Sequence, residues 1–194
     1  MDNLLLVIFA LFLVALNGFY VAAEFSIVTD MLFLSQAERG APMRTRAVTS
    51  LAAQATDVID FYDAMLEEAG LRAEVRGDAM ADVDAALVRR ALFNLLGNAI
   101  RFATPASTIR IEIGEENASE FAVAVVNKGE PIDPAALPRL FERFYRAAQA
   151  RDGSTRHHGL GLSIVEAIAR MHGGRVFAAS RGGETRIGFT VAKR

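Results

Sequence analysis

Two carboxamides and a downstream pair of glycines are the residues of this chain whose types and spacing best suit chemistry. Asn94 and Asn98 lie four apart in the stretch Leu87 to Phe102. At about 100° per residue, Leu87, Val88, Ala91, Leu92, Leu95, Leu96, Ala99 and Ile100 cover most of a helix surface, leaving a polar wedge of Arg90, Asn94, Gly97, Asn98 and Arg101. An unpaired buried amide costs about 1–3 kcal/mol, so both carboxamides must either bond to neighbouring backbone or face a ligand. Asn and Gly are poor helix formers, so helix propensity did not select them. Further on, Gly159-Leu160-Gly161-Leu162 opens another helical pattern. A helix start rich in glycine offers free amides and the positive end of the helix dipole to an anion.

These groups need elements to hold them. Asp84 is a plausible N-cap for the Asn-bearing helix, and Thr104-Pro105 ends it. Upstream, Thr45 to Leu51 reads as an edge strand or a strand-to-helix entry. Leu51 to Ala69 has helical spacing, with Val58, Ile59, Tyr62, Met65 and Leu66 on one face and Gly70 as its stop. Leu71 to Arg76 alternates as a half-buried strand does. Ile109, Ile111 and Ile113 mark another strand and Phe121 to Asn127 a further one, with Glu115 to Glu120 turning between them. Asp133 to Arg156 is long for a connection and reads as a mobile lid. A helix over Gly159 to Met171 follows, then strands at Val176 to Ser180 and Thr185 to Val191 around a Gly182-Gly183 turn. The fold class this predicts is α/β: a two-layer α/β sandwich with helices on one face of a mixed sheet.

Composition narrows the functions. The chain has 194 residues, a formal net charge of -2 and no cysteine. Such a balance gives no pull toward nucleic acid, and disulfides and thiolate metal sites are excluded. Three histidines, His157, His158 and His172, are too scattered for a zinc site. Leu4 to Ala23 is uncharged and long enough, at 1.5 Å per residue, to cross about 30 Å of hydrocarbon. It reads as a transmembrane helix, with a signal peptide or a buried helix as alternatives. Arg39, Arg44 and Arg46 follow the segment and no Lys or Arg precedes it, which places the C-terminal part of a single-pass protein in the cytoplasm.

Four blocks of the sequence, in this order, resemble the N box, first glycine box, F box and second glycine box of sensor histidine kinases. They are Leu87 to Phe102, Val125-Val126-Asn127-Lys128-Gly129-Glu130-Pro131-Ile132, Leu140-Phe141-Glu142-Arg143-Phe144-Tyr145-Arg146 and Gly159-Leu160-Gly161-Leu162-Ser163-Ile164-Val165. The likeness is to the heavy-metal-sensor branch and its ATP-binding catalytic domain, of the GHKL or Bergerat fold, and runs from about residue 29 to the end. It implies binding of ATP with Mg2+ and transfer of the γ-phosphate. It implies that Asn127, fixed by Gly129, meets the adenine edge, where the family usually has Asp. It implies that Phe102 lies near the base and that Ile132 and Phe141 line the site. Asn98, with Asn94 one turn earlier, would hold Mg2+. Arg101 and Arg146 would reach the phosphates, cradled by Gly159, Leu160, Gly161 and Leu162. Arg151 and Arg156 lie in the lid, as solvated cations or further phosphate contacts.

In the gyrase and chaperone ATPases of the same fold, a Glu that activates water stands where this chain has Asn94. A carboxamide takes no proton at neutral pH, so the resemblance favours phosphoryl transfer over hydrolysis, with Asn94 and Arg101 as the catalytic pair. The family's phosphoacceptor His has no counterpart here, and His157, His158 and His172 read as structural or solvated. The implied acceptor is therefore a histidine-bearing dimerisation domain or an intact kinase in another chain. The alternative is a non-enzymatic module that binds ATP or a kinase; whether the chain forms a homodimer stays open. A second resemblance covers Asn17 to Val28, which is similar to the first transmembrane helix of CorC/CNNM (haemolysin-related) membrane proteins, while Asp30 to Glu38 resembles the end of a dimerisation helix. The expected organisation is a transmembrane helix over 1–28, a dimerisation-type helix end and linker over 29–43, and the ATP-binding domain over 44–194.

Overall fold

The structure, a computed structural model, describes residues 27–40, 45–146 and 159–193. The expected membrane span over 4–23 and His157 and His158 lie outside them. So does the CorC/CNNM-like stretch, apart from Ile27 and Val28. Among the described residues no helix is long and apolar enough to cross a membrane.

The first described element, α1, is helical over 27–38 and is stopped by Gly40 at φ +70°. Strand β1 (Ala47–Ser50) leads directly into helix α2 (Leu51–Glu68). That junction is capped twice: Ser50 Oγ accepts from Ala53 N at 3.0 Å, and the Asp78 carboxylate accepts from Ala52 N at 2.9 Å. These bonds hold the Asp78 carboxyl below the usual carboxylate range, the Ala52 amide contributing most. After Gly70 come β2 (Arg72–Arg76) and β3 (Met80–Val83). Strand β3 pairs antiparallel with β1 in a small two-stranded sheet that the sequence did not announce.

Helix α3 (Ala85–Phe102) is the Asn-bearing helix, and Asp84 caps it as expected, its Oδ1 accepting from Ala86 N at 3.1 Å and Leu87 N at 3.2 Å. Strands β4 (Thr108–Asn117) and β5 (Glu120–Lys128) form a hairpin whose arms run further than expected. Glu115 to Asn117, expected in the turn, belong to β4. Helix α4 (Gly161–Met171) starts two residues later than expected, and β6 (Val176–Arg181) and β7 (Glu184–Ala192) close the sheet.

The main sheet has the order β2-β4-β5-β7-β6. Only β2 and β4 are parallel, because the crossover between them carries β3 and α3. The remaining pairs are antiparallel, so the sheet is mixed. One face presents Ile109, Ile111, Ile113, Val123, Val125, Phe189 and Val191, against which α2, α3 and α4 bury Val58, Leu92, Leu96, Ile164 and Ile168. Burying each large aliphatic side chain contributes about 1.5–3 kcal/mol. The opposite face is a floor of Ala122, Ala124 and Gly188 flanked by paired charges, Arg110 with Glu184 at 3.1 Å and Arg186 with Glu112 at 3.4 Å.

His172 joins the helix layer end to end. It is buried at 1 % exposure. Its Nδ1 donates to Ile168 O at 2.8 Å, and its Nε2 accepts from Asp84 N at 3.1 Å. Only the neutral ring protonated on Nδ1 satisfies both bonds. His172, expected to be structural or solvated, is thus structural and ties the end of α4 to the cap of α3.

Candidate functional site

Helix α3 leans over the apolar sheet face so that its polar wedge looks toward the N-terminus of α4, and the two enclose a cavity of about 590 Å³. Its floor is Val125, Asn127, Thr185 and Ile187 of β5 and β7. One wall is Asn94, Gly97, Asn98, Arg101 and Phe102, and the other is Gly159 to Leu162. Glu130, Ile132, Leu140, Tyr145 and Arg146 close one side, and Asp30, Tyr62 and Phe93 stand at the mouth. A volume of this size matches a small-molecule pocket, mostly apolar with a few convergent polar groups.

The two carboxamides are not equivalent. Asn94 Nδ2 donates to Arg90 O at 2.8 Å, so half of this amide is satisfied by its own helix. Its Oδ1 faces α4, where Gly161 leaves room: a Cβ at position 161 would stand 2.8 Å from that oxygen. Gly161 is therefore a close-approach glycine that lets the start of α4 touch the Asn wall. Asn98, one turn on, lines the same cavity, with Arg101 beside it at 5.0 Å over the Phe102 ring.

Among the described residues no side chain caps α4. Its first amides consequently have no side-chain acceptor at the end that faces the cavity, the condition for holding an anion. Gly159, at φ +72°, bends the chain into this start, and its carbonyl accepts from Phe144 N at 2.9 Å, which clamps the two ends of the intervening segment together.

Asn127 is buried at 7 % exposure and pairs with Thr185 across β5 and β7. Its Nδ2 donates to Lys128 O at 3.3 Å, and the residue lines the cavity, so its Oδ1 is the group left to accept from a ligand. Thr185 shares a hydrogen bond with Ser180 Oγ at 3.1 Å, and Ser180 Oγ accepts from Ile132 N at 3.0 Å, fixing the wall that carries Ile132. At the mouth, Tyr62 donates to Phe93 O at 3.3 Å, and burial pushes its phenol above the ordinary value, so it stays neutral.

Eleven of the expected site residues line the cavity: Asn94, Asn98, Arg101, Phe102, Asn127, Ile132, Arg146, Gly159, Leu160, Gly161 and Leu162. Two do not. Phe141 faces the other way, toward Leu137, Pro138, Glu166 and Phe177, because the 3-10 turn Leu137–Arg139 rotates the chain and gives the cavity Leu140 instead. Gly129 lies behind the floor, and its role is clearance. A Cβ there would collide with the Phe102 carbonyl at the end of α3, and Gly129 N donates to Gly183 O at 3.0 Å. Thr185, Leu140, Tyr145, Tyr62 and Asp30 were not expected. For Thr185 the sequence offered only its place at the start of a predicted strand; its position opposite Asn127 comes from the structure.

Residues 83–194 match the family described as histidine kinase-, DNA gyrase B- and HSP90-like ATPase. The sensor protein IrlS of Burkholderia pseudomallei is 40% identical over 148 residues, covering 76% of this chain and 32% of that protein. The sensor histidine kinase CusS of Escherichia coli O157:H7 is 36% identical over 169 residues, 87% of this chain and 35% of that protein. The chain thus spans about a third of the length of these curated relatives. In fold it is similar to the Acinetobacter baumannii histidine kinase AdeS, with a TM-score of 0.71, 21% identity, and coverage of 86% of this chain and 77% of that one.

Proposed function

Since the chain belongs to the histidine kinase-, DNA gyrase B- and HSP90-like ATPase family, we propose that its cavity binds ATP and that the chain is the catalytic portion of a sensor histidine kinase, passing the γ-phosphate to a histidine on another chain. The observation that carries this reading is the meeting of three unlike features in one cavity: the Asn94 and Asn98 carboxamides, the uncapped start of α4, and a buried acceptor at Asn127. An adenine amine suits the Asn127 Oδ1 acceptor, and the apolar floor of Val125 and Ile187 suits the ring. Asn recognises without charge, so the bond is weaker than a carboxylate would make.

The phosphates belong at the other end, against the amides of Gly161 and Leu162 and the Arg101 and Arg146 side chains. Asn98 and Asn94 present carboxamides beside that position. A magnesium ion that takes one or two protein oxygens and fills its octahedron with phosphate oxygens and water fits this donor set, and when bound it neutralises phosphate charge. Asn94 cannot serve as a base: it is an amide, and its Nδ2 is engaged with Arg90 O. The reaction is therefore phosphoryl transfer by positioning, with little hydrolysis.

Incubation with ATP labelled on the γ-phosphate and a separately folded dimerisation domain tests the transfer. Label on the acceptor histidine supports it. Saturable nucleotide binding with no label on any acceptor favours the non-enzymatic module. We further propose that residues 4–23 tether the chain once across the bacterial inner membrane with the cavity on the cytoplasmic side, which protease protection in inverted vesicles tests.

A further inference from the structure

Helices α3 and α4 lie antiparallel and meet at both ends. Away from the cavity, His172 Nε2 accepts from Asp84 N at 3.1 Å, so the residue that closes α4 holds the residue that caps α3. At the cavity end Gly161 meets Asn94, a Cβ at position 161 standing 2.8 Å from Asn94 Oδ1. Between these two contacts both helices bury apolar residues in one core, Val88, Ala91 and Leu95 from α3 and Ile164, Val165 and Ile168 from α4. Apolar burial is non-directional and lets one helix slide along another, whereas a hydrogen bond weakens steeply as its geometry is lost. The His172 main chain is held separately, its carbonyl accepting from Ala192 N of β7 at 3.1 Å. The end of α4 therefore keeps its place on the sheet whatever the side chain. Of the two ring bonds, that of Nδ1 to Ile168 O stays inside α4, and that of Nε2 crosses to α3.

Resting on the reading of the cavity as an ATP site, we infer that His172 is a positioning residue for that site: it sets the register of α3 along α4, and hence the placing of Asn94 and Asn98 against the amides of Gly161 and Leu162. It acts from about 15 Å away, the length of α3 between Asp84 and Asn94 at 1.5 Å per residue. The magnesium-dependent part of binding is the sensitive part, because magnesium demands near-ideal octahedral geometry and Asn98 lies on the helix that would shift. The adenine end is less sensitive, since Asn127 belongs to β5 and not to α3.

The test compares two variants of the full chain in detergent. His172→Gln puts a carbonyl oxygen where Nε2 stands, keeping the bond from Asp84 N and losing that to Ile168 O; His172→Asn does the reverse. Each loses one buried hydrogen bond, so both unfold at lower denaturant by similar amounts. Titrated with ATP and magnesium, His172→Gln stays within about twofold of the parent while His172→Asn binds about tenfold more weakly, the loss of one well-placed polar contact. With ATP and a magnesium chelator the three proteins agree within about twofold. Coupling is reciprocal, so in the parent saturating ATP with magnesium slows exchange of the Asp84 amide more than that of the Thr190 amide, which bonds Arg175 O and reports overall stability. This exchange measurement decides alone where His172→Asn does not fold. Equal affinity losses in the two variants, parent-like binding by His172→Asn, or an Asp84 amide protected no more than Thr190 overturns the inference and leaves the ATP site standing. If the parent itself binds no ATP, the reading of the cavity fails and the inference with it.

Discussion

Replacing Gly161 by alanine separates what the start of α4 does for folding from what it does for ligand. The position is helical, without a positive φ, so the backbone accepts alanine. Removing a glycine from a helix is worth about 0.5–1 kcal/mol. Against this, the new Cβ stands 2.8 Å from Asn94 Oδ1 and 3.5 Å from its Cγ, too close for a carbon. The Asn94 side chain is the softest partner and must turn. Turning breaks its 2.8 Å bond to Arg90 O, worth about 0.5–1.5 kcal/mol. An off-rotamer position costs about another 0.5–1.5 kcal/mol. Gain and loss nearly offset, so thermal unfolding of Gly161→Ala stays within about 1–2 kcal/mol of the parent. Nucleotide binding does not stay put, because the carboxamide has left the phosphate end of the cavity. Loss of one such contact, about 1.4 kcal/mol, weakens affinity about tenfold. The assay is a fluorescent-nucleotide titration of Gly161→Ala, Asn94→Ala and the double variant, with melting curves alongside. In the double variant the clash is gone, so the two penalties on affinity fall well short of additivity. Parent-like binding by Gly161→Ala, or a full additive loss in the double variant, refutes the placement of Asn94 as the element the glycine accommodates.

Further outcomes follow from other contacts. Asn98→Ala abolishes the difference between nucleotide titrations with and without magnesium while leaving the melting temperature within a few degrees. His172→Ala deletes two buried hydrogen bonds and leaves the Asp84 amide without its acceptor, so denaturant unfolding shows a loss of about 2–4 kcal/mol. Asp78 and Glu120 have carboxyls held below their ordinary values, Asp78 chiefly by the Ala52 amide and Glu120 chiefly by Asn117. The unfolded chain binds protons first as pH falls. Their stabilisation is thus complete above the ordinary range near pH 4 and is lost as pH drops through the lower folded values. Accordingly, Asp78→Asn is less stable than the parent at pH 7, and the two converge in acid melts below about pH 4. Gly129→Ala drives a Cβ into the Phe102 carbonyl and loses about 1–3 kcal/mol together with nucleotide binding.

The parts of the fold that were legible are those where one residue type has one physical use. The polar wedge on α3, Asp84 before it and Gly70 after α2 gave elements that the structure shows within a residue or two. Strand β3 was not legible, because Met80 to Val83 is four residues long and its partner β1 lies some thirty residues earlier; pairing, not pattern, makes it a strand. Glu115 to Asn117 read as a turn because they are charged and polar. They extend the hairpin through Asn117 and Glu120, whose side chains bond at 2.9 Å, and through Arg175, which pairs with Glu116 and Glu120 at 3.3 Å. In the site, residue types identified which groups matter, but direction needed coordinates. A 3-10 turn decides that Leu140 and not Phe141 faces the cavity, and the docking of α1 brings Asp30 to its mouth from more than sixty residues before Asn94.

The central claim is that this cavity is shaped for a magnesium-bearing adenine nucleotide. Isothermal titration of the full chain with ATP and with GTP, each with and without magnesium, reads it directly. Saturable binding of ATP that strengthens with magnesium, and much weaker binding of GTP because Asn127 Oδ1 meets its carbonyl instead of an amine, is the predicted result. Absence of saturable ATP binding, or equal binding of both nucleotides regardless of magnesium, contradicts it.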